Sequence, residues 1–290
     1  MKKKILISII TATHNRANYI KDLYNSLKNQ TFKNFEWVVG NDGSDDNTDM
    51  LIKKFIKEKK VRIKYISSDL RIGKTKIDNI IIHLAKGKYR CYCGSDDYLK
   101  KNALKNISKL LLKIPKKIEN KFHGIITECV SEKNISQSFY ENKKPLSNKF
   151  IKWEDIKKYT KGDSLILEKS KAYKNKKFKE VDFLISESTL MNQIHSNKLF
   201  LLTKIPTLVM RRAKDSISFG KVMRFNRGYA HSIALNSKYK KFKFYNFKKK
   251  ILTVALYWRY CFHGDIGLIR AKKMWDVTRN NNIYLFFLSL

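Results

Sequence analysis

The strongest constraint on the fold is the alternation of short apolar runs with segments of helical periodicity over the first hundred residues. Apolar residues at the i, i+3, i+4 and i+7 spacing of one helix face separate four runs that are typical of buried strands. These runs cover residues 5–10, 35–39, 61–66 and 89–93. Strands that alternate with helices predict an α/β fold with a Rossmann-type, mostly parallel sheet and helices on both faces.

The second half of the chain is less regular. A helix at residues 104–112 and a strand near 124–129 precede a polar stretch, 131–149, that we expect to form a loop or insertion. Beyond Pro206 the chain becomes basic and aromatic, with clustered lysines before an apolar run at 251–258. Interleaved aromatic and cationic residues are typical of surfaces that bind lipid headgroups or nucleic acid.

The formal net charge of +37 is extreme for 290 residues. A field of this size attracts nucleic acid, anionic lipid or phosphorylated substrates, and charge alone does not choose among them. Because Lys, Asn and Ile are abundant together, an AT-rich genome explains the lysine excess equally well.

Neither cysteine spacing nor hydropathy indicates an extracellular or membrane-spanning protein. The four cysteines, at positions 91, 93, 129 and 261, match no zinc or disulfide pattern, so we expect a reducing compartment and a core-packing role for Cys91 and Cys93. The apolar run near the N-terminus is short and is predicted to be a strand. No run reaches the ~18 to 20 apolar residues of a membrane span.

Polar clusters follow three of the predicted strands, where ligands bind in open α/β sheets. They are Thr13-His14-Asn15 after the first strand, Asp42 after the second and Asp96-Asp97 after the fourth. Grouped carboxylates are costly unless a cation compensates them, so this crevice predicts Mn²⁺ or Mg²⁺ bridging to a nucleotide diphosphate. Each Asp alone could equally cap the helix that follows it, but capping explains the joint pattern less well.

The segment Ile7 to Leu99 resembles the nucleotide-binding half of a family-2 glycosyltransferase, an enzyme class of GT-A fold. The matching segments, in chain order, are Ser8 to Arg16, Ser26-Leu27 with Gln30-Thr31, Phe35 to Val39 leading to Asp42-Gly43-Ser44, Ala85 to Tyr89, and Ser95-Asp96-Asp97. The resemblance implies a GT-A-like domain at residues 1–205, with a nucleotide-binding half (1–100) and an acceptor half (101–205). Residues 206–290 would form a basic, helical, membrane-associating region.

The resemblance also implies roles for individual residues. Thr13 and His14 would line the pocket for the base, and Asp42 would accept a hydrogen bond from it. Asp96 would contact the ribose or diphosphate, and Asp97 would hold the metal. His14 stands where the family more often has Tyr, and Gly94 replaces the first acid of the usual Asp-x-Asp-Asp pattern.

Two further candidate site residues lie at the beginning of predicted helices. Lys74 could pair with a phosphate as a point charge, or be a solvated lysine, and Asp69 and Arg71 have the same two interpretations. Glu187 is the candidate base that takes the proton of the acceptor hydroxyl, because Ser188 replaces the Asp that the family uses; Asp182 is the reserve. The alternative for Glu187 is a carboxylate that the helix dipole favours in a first turn.

The acidic crevice and the resemblance together indicate a metal-dependent hexosyl- or N-acetylhexosaminyl-transferase, and the resemblance implies that it inverts the configuration at C1. It would move a sugar from a nucleotide-sugar donor, with a UDP-sugar as the favoured donor, to a glycan or lipid-linked acceptor. The product would belong to cell-surface polysaccharide, lipopolysaccharide or capsule synthesis. The expected location is the cytoplasm, peripheral to the inner face of an anionic membrane, and nucleic acid is not an expected partner. The alternatives are a non-catalytic α/β protein that binds nucleic acid or membrane through its basic surface, and a nucleotidyltransferase, whose glycine-rich N-terminal loop is absent.

Overall fold

The computed structural model describes residues 4–138, 148–181, 185–211, 222–237 and 246–275. The chain groups into two compact units. The first comprises residues 1–177 and 195–213, and the second comprises 178–194 and 214–290. The sequence predicted a single boundary at residue 205, whereas this grouping also assigns residues 178–194 to the C-terminal unit.

Four parallel strands form one half of the sheet in the first unit. In the spatial order β3-β2-β1-β4, they are β1 (Ile7–Thr13), β2 (Phe35–Asp42), β3 (Ile63–Ser68) and β4 (Tyr89–Tyr92). All three pairings among them are parallel, as the alternating pattern predicts. Because β2 extends to Asp42, the carboxyl ends of β1 and β2 lie side by side, with Thr13 in register with Asn41.

The other half of the sheet adds antiparallel pairs, which the sequence pattern did not indicate. Its strands are β5 (Tyr98–Leu99), β6 (Phe122–Ser131), β7 (Lys149–Lys152), β8 (Ser164–Lys169) and β9 (Leu199–Met210). The order continues as β4-β8-β6-β9-β5, and β7 also pairs with β9. Strand β8 runs antiparallel to both β4 and β6, while β6 and β9 are parallel to each other. The result is one mixed nine-stranded sheet.

Helices cover both faces of the parallel half, as predicted. The helices of this unit are α1 (Ala17–Lys28), α2 (Thr48–Glu58), α3 (Lys74–Leu84) and α4 (Ala103–Leu112), with 3₁₀ turns at Lys116–Ile118, Trp153–Lys158 and Ser170–Tyr173. Side chains from α1, α2 and α4 share a core with Ile9 and Trp37, whereas Ile81 of α3 packs with Ile10 and Val38 in a separate cluster. Successive strand residues point to opposite faces, which explains the division.

A group of aromatic residues lies within the larger, mainly aliphatic core. Tyr24 of α1 stacks on Phe55 of α2 with ring centroids 4.0 Å apart, and Trp37 is fully buried beside them. The indole N–H of Trp37 donates to Thr11 Oγ1 at 3.0 Å. A buried indole needs such a partner, so this bond accompanies the apolar contacts of the ring.

Gly40 lets α3 approach the sheet closely. A Cβ atom at this position would lie 2.6 Å from Ile77 Cγ1 and 2.7 Å from Ile81 Cγ2. No side chain fits there without displacement of both isoleucines, so β2 carries glycine where α3 crosses it.

The second unit is helical in its described part. It contains α6 (Val222–Ser237), α7 (Phe247–His263) and α8 (Leu268–Met274), and α5 (Ser188–His195) belongs to it except for its last residue. Ala234, Tyr257 and Trp275 are among the residues of its own buried cluster, and Tyr257 Oη donates to the Ala271 carbonyl at 2.6 Å. None of the helices in the described ranges is both long and apolar enough to cross a membrane.

All four cysteines are buried free thiols. Cys91, Cys93 and Cys129 lie in the core of the first unit, and Cys261 lies in the cluster of the second. Burial raises the pKa of the Cys91 and Cys93 thiols above the ordinary value. The predicted packing role of Cys91 and Cys93 is confirmed.

Candidate active site

The structure brings the strand-end clusters of β1, β2 and β4 to one edge of the sheet. These three strands are adjacent and parallel, so the loops that leave their carboxyl ends lie together. Thr13 and Asp42 are the last residues of β1 and β2, and the Asp96-Asp97 pair follows the end of β4. This is the edge at which open α/β sheets bind ligands.

Thr13 and His14 border this candidate site at the carboxyl end of β1. Thr13 is 3% exposed, and its Oγ1 has no hydrogen-bond partner among the described residues. His14 Nδ1 lies 2.8 Å from the Asp42 carbonyl, which can only accept, so Nδ1 donates this hydrogen bond. A buried hydroxyl without a partner is unusual and indicates a polar group that a ligand would supply.

The loop after β1 is held against the loop after β2. Asn15 has a positive φ of 51°, its backbone N–H donates to Ser44 Oγ at 2.9 Å, and its side-chain oxygen accepts from the Asp45 N–H at 2.8 Å. Asn tolerates this left-handed conformation better than most residues. The contacts fix the backbone around His14.

Asp42 is buried and orders the segment that leads into α3. Its Oδ1 accepts the backbone N–H groups of Ile72 at 2.7 Å and Gly73 at 2.9 Å, while Oδ2 makes only a longer contact of 3.2 Å to Gly73. An N–H group of a bound nucleobase would therefore donate its hydrogen bond to Oδ2. The role of Asp42 in base binding stays a prediction.

Lys74 is the first residue of α3, as predicted, but its ammonium is already paired. Nζ lies 2.6 Å from Asp78 Oδ2 one turn along the helix, and Asp78 is 2% exposed. A phosphate would have to share Lys74 with this carboxylate. Asp69 and Arg71, on the preceding loop, are exposed.

Asp96 and Asp97 form a turn after β4 that closes over Gly94. The Asp97 N–H donates to the Gly94 carbonyl at 3.2 Å. A Cβ atom on Gly94 would lie 2.8 Å from Asp97 Oδ2 and 2.9 Å from Asp96 Oδ1, so both carboxylates border the space above this glycine. Two carboxylates directed at one small space form a hard oxygen site of the kind that Mg²⁺ and Mn²⁺ prefer.

Burial raises the pKa of the Asp97 carboxyl to about 7, and the neighbouring carboxylates of Asp96 and Asp163 add to the increase. The backbone N–H of Arg211, 3.0 Å from Asp97 Oδ1, opposes it. The site thus holds negative charge that a divalent cation would offset. The carboxylates of Asp96 and Asp97 fit a divalent metal, and the role of Asp97 as its ligand stays a prediction.

Arg211 is a site residue that sequence reasoning missed. It follows β9, and its guanidinium binds Asp22 Oδ2 at 2.8 Å and Glu132 Oε1 at 3.1 Å. It also lies over the rings of Tyr19 and Tyr98, at 5.8 and 5.3 Å from their centroids. These partners come from three separate chain segments, all distant from Arg211 in sequence, so no local pattern could identify them.

Glu187 directly precedes α5 in the second unit. Its carbonyl accepts the N–H groups of Leu190 and Met191, both at 3.1 Å, so it lies in the first turn of that helix. The half-buried side chain is compatible with either interpretation made from the sequence. Its role as base stays a prediction, and Asp182 lies outside the described residues.

Comparison with solved structures assigns the fold to a known class. Solved structures of similar fold are GT-A glycosyltransferases. Residues 1–349 of S. aureus TarS, solved with UDP-GlcNAc, align with a TM-score of 0.61 and 19% identity over 89% of this chain and 72% of that one. The mannosyltransferase PcManGT of Pyrobaculum calidifontis was solved with GDP-Man and Mn²⁺. It aligns with a TM-score of 0.58 and 14% identity over 99% of this chain and 80% of that one.

The chain belongs to glycosyl transferase family 2, whose family model matches residues 8–173. The resemblance stated from the sequence is therefore confirmed, as is the assignment as a glycosyltransferase. A curated relative, the GalNAc(5)-diNAcBac-PP-undecaprenol beta-1,3-glucosyltransferase of Campylobacter jejuni, is 25% identical over 217 residues, 74% of this chain and 67% of that enzyme. The chain spans between 28% and 67% of the length of the first curated relatives.

Proposed function

We propose that this glycosyltransferase uses a UDP-sugar and Mn²⁺ or Mg²⁺ to glycosylate a lipid-linked or polymeric glycan at the cytoplasmic face of the membrane, with inversion at C1. The observation that carries the proposal is the Asp96-Asp97 turn over Gly94, at the same sheet edge as Thr13 and Asp42. The UDP-GlcNAc bound to TarS and the undecaprenol-linked acceptor in the name of the Campylobacter relative support the substrate classes.

The nucleotide half of the site would be formed by the loops after β1 and β2. The unpartnered Oγ1 of Thr13 would hydrogen-bond the nucleoside, and the His14 ring, oriented by the Asp42 carbonyl, would pack against the base. Asp42 Oδ2 would accept a hydrogen bond from an N–H group of the nucleobase. Because backbone contacts already order these groups, little conformational entropy would be lost on binding.

Asp97 would hold the metal, and Asp96 would contact the ribose or the diphosphate. When bound, the ion offsets the negative charge that develops on the leaving diphosphate. Gly94 provides the space rather than a third carboxylate, because a side chain there would overlap both acids.

Transfer requires a base on the acceptor side. Glu187 would take the proton of the acceptor hydroxyl as that oxygen attacks C1 from the face opposite the diphosphate. The new C1–O bond forms as the bond to the diphosphate oxygen breaks, and the electron pair leaves with the diphosphate. Attack from the opposite face inverts the configuration at C1.

A donor panel tests the proposal. We expect a UDP-sugar to raise the melting temperature of the full chain more in Mn²⁺ than in EDTA, and Asp97→Asn to abolish this metal-dependent difference. Transfer by Asp97→Asn should fall by about 100-fold or more, the scale expected when transition-state charge is left uncompensated. Asp265→Asn, at an 83% exposed carboxylate in the second unit, is the matched control and should behave as wild type.

The proposal fails if no nucleotide sugar shifts the melting temperature in either condition, or if Asp97→Asn transfers sugar at the wild-type rate. The match to glycosyl transferase family 2 over residues 8–173 favours an enzyme over the non-catalytic alternative. Binding of polyanions through the basic surface would instead weaken steeply as salt rises, without a requirement for metal.

A further inference from the structure

A second group of metal-ligating side chains lies in the first unit, away from the strand-end site. His123, Glu168 and His195 each place one ligand atom within 4.8 Å of the other two. Their exposed fractions are 5%, 1% and 0%. Glu168 pairs with Arg90 near the amino end of β4, whereas Asp97 follows the carboxyl end of that strand, so the two groups lie toward opposite ends of the sheet.

Local irregularities of the backbone produce this group. His123 is the residue at which the pairing of β6 with β9 shifts register, between Phe122 and Gly124. A bulge of this kind redirects a side chain that would otherwise alternate with its neighbours. Gly124 is required beside it, because a Cβ atom there would lie 2.0 Å from the Leu167 carbonyl oxygen.

Hydrogen bonds hold the carboxylate but leave imidazole nitrogens without partners. Glu168 is bonded through one oxygen to Tyr173 Oη and through the other to His195 Nε2. His123 Nε2 and His195 Nδ1 have no partner among the described residues, although both rings are buried. Two such nitrogens in one buried cluster are unusual, since buried polar groups are normally satisfied.

The surroundings resemble the outer shell of a metal site. Tyr173 orients the carboxylate, and the Arg90 guanidinium lies 4.3 Å from the centroid of the Tyr173 ring. The rings of Trp153 and Phe200 lie 4.3 and 5.0 Å from that of His195 and limit access of water. Oriented first ligands within an apolar wall are typical of bound metals.

We propose that His123, Glu168 and His195 bind a zinc-type divalent cation that fastens β6, β8 and the end of α5 together. Two imidazoles and one carboxylate are a ligand set that Zn²⁺ accepts. This set is softer than the carboxylates at Asp96-Asp97, so the two sites should differ in metal preference. The three ligands are far apart in sequence, and the ion would therefore stabilise the antiparallel half of the sheet.

The test begins with metal-stripped, full-length protein in excess Mg²⁺, which directs added Zn²⁺ away from the carboxylate site. After addition of Zn²⁺, we expect elemental mass spectrometry to find one tightly bound zinc per chain. The melting temperature should be higher than that of the metal-stripped protein. Co²⁺ should give a visible absorption spectrum typical of low-symmetry nitrogen and oxygen coordination. The Co²⁺ measurement uses the wild-type chain and does not depend on whether a variant folds.

Variants locate the ion. His123→Ala and Glu168→Gln should lose the zinc, and Tyr173→Phe should weaken zinc binding by about 10- to 100-fold. His83→Ala, at an exposed histidine of α3, and Asp97→Asn should keep it. The proposal is overturned if the wild-type chain takes up no zinc or Co²⁺ at micromolar concentrations, or if His123→Ala binds zinc as tightly as wild type.

Discussion

At the scale of single residues, the acidic turn after β4, where we propose that a metal binds, has a cost in stability. The Asp97 carboxyl has a pKa of about 7 in the folded protein, well above the ordinary value of an exposed Asp. Ionisation is therefore less favourable in the folded chain than in the unfolded chain. Residues that prepare a binding site often lower stability in this way.

We predict that Asp97→Asn stabilises the metal-free protein at neutral and alkaline pH. Since the folded pKa is raised, the wild-type carboxylate destabilises the fold increasingly as pH rises from the unfolded value toward about 7. The variant should gain roughly 1–3 kcal/mol of unfolding free energy at pH 8, and the gain should vanish near pH 4. Urea unfolding in EDTA measures this difference, and a gain that does not change with pH would contradict the explanation.

Arg211 is predicted to position Asp97 rather than to stabilise the fold. Its partners Asp22 and Glu132 are about half exposed, so loss of both ion pairs in Arg211→Ala should cost only about 1 kcal/mol. Displacement of the backbone N–H that binds Asp97 should raise the Mn²⁺ concentration needed for half-maximal transfer by about 10-fold. Arg211→Lys should recover part of the effect, because lysine keeps the charge but not the planar fork.

The control for Arg211 is Arg62→Ala, whose exposed side chain precedes β3. Sugar transfer by each variant is measured over a range of Mn²⁺ concentrations. The stability of each variant is measured separately by unfolding in urea. A loss of stability without a change in Mn²⁺ dependence would show that Arg211 is only a structural residue.

At the scale of elements, the parallel half of the sheet was predictable because its strands are apolar and its helices have clear faces. In the other half, the sequence indicated a strand near 124–129, which lies in β6, but it did not indicate β7 or β9. β7 is short and carries lysine at both ends, and β9 contains Pro206, which is normally excluded from a strand interior. The structure accommodates Pro206 opposite Glu128, where the register of β6 and β9 shifts. Contacts such as Arg211 to Asp97 depend on the antiparallel pairing of β5 with β9 and were equally unpredictable.

We predict that Gly40→Ala weakens the packing of α3 on β2. The new methyl group would overlap Ile77 and Ile81, and overpacking of this kind costs about 1–3 kcal/mol. Gly267→Ala is the control, since a Cβ atom there meets no atom within 4 Å. Urea unfolding of both variants gives the comparison, and an equal effect in the two would contradict the packing argument.

At the scale of the whole molecule, the charge of +37 and the apolar side chains of the second unit support association with an anionic membrane. Phe262, Leu268 and Ile269 are 82%, 64% and 75% exposed, and Lys272 and Lys273 are close to them in sequence. Exposed apolar residues beside cations are typical of peripheral membrane proteins.

We predict that the chain sediments with vesicles containing phosphatidylglycerol and that binding falls several-fold as salt rises from low to physiological strength. The double change Leu268→Ser, Ile269→Ser should weaken binding further. Leu112→Ser, at an 87% exposed leucine of the first unit, is the control and should have no effect. Equal binding to neutral vesicles would rule out the electrostatic contribution.

The buried thiols have a practical consequence for following this enzyme in solution. Cys93 adjoins Gly94 and the acidic turn, Cys129 lies on β6, and Cys261 belongs to the separate cluster of the second unit. A thiol alkylates only as an accessible thiolate, so each cysteine reacts only when its surroundings open. Alkylation rates at Cys93 and Cys261 would therefore time the opening of the two units independently, and a bound donor should slow the reaction at Cys93.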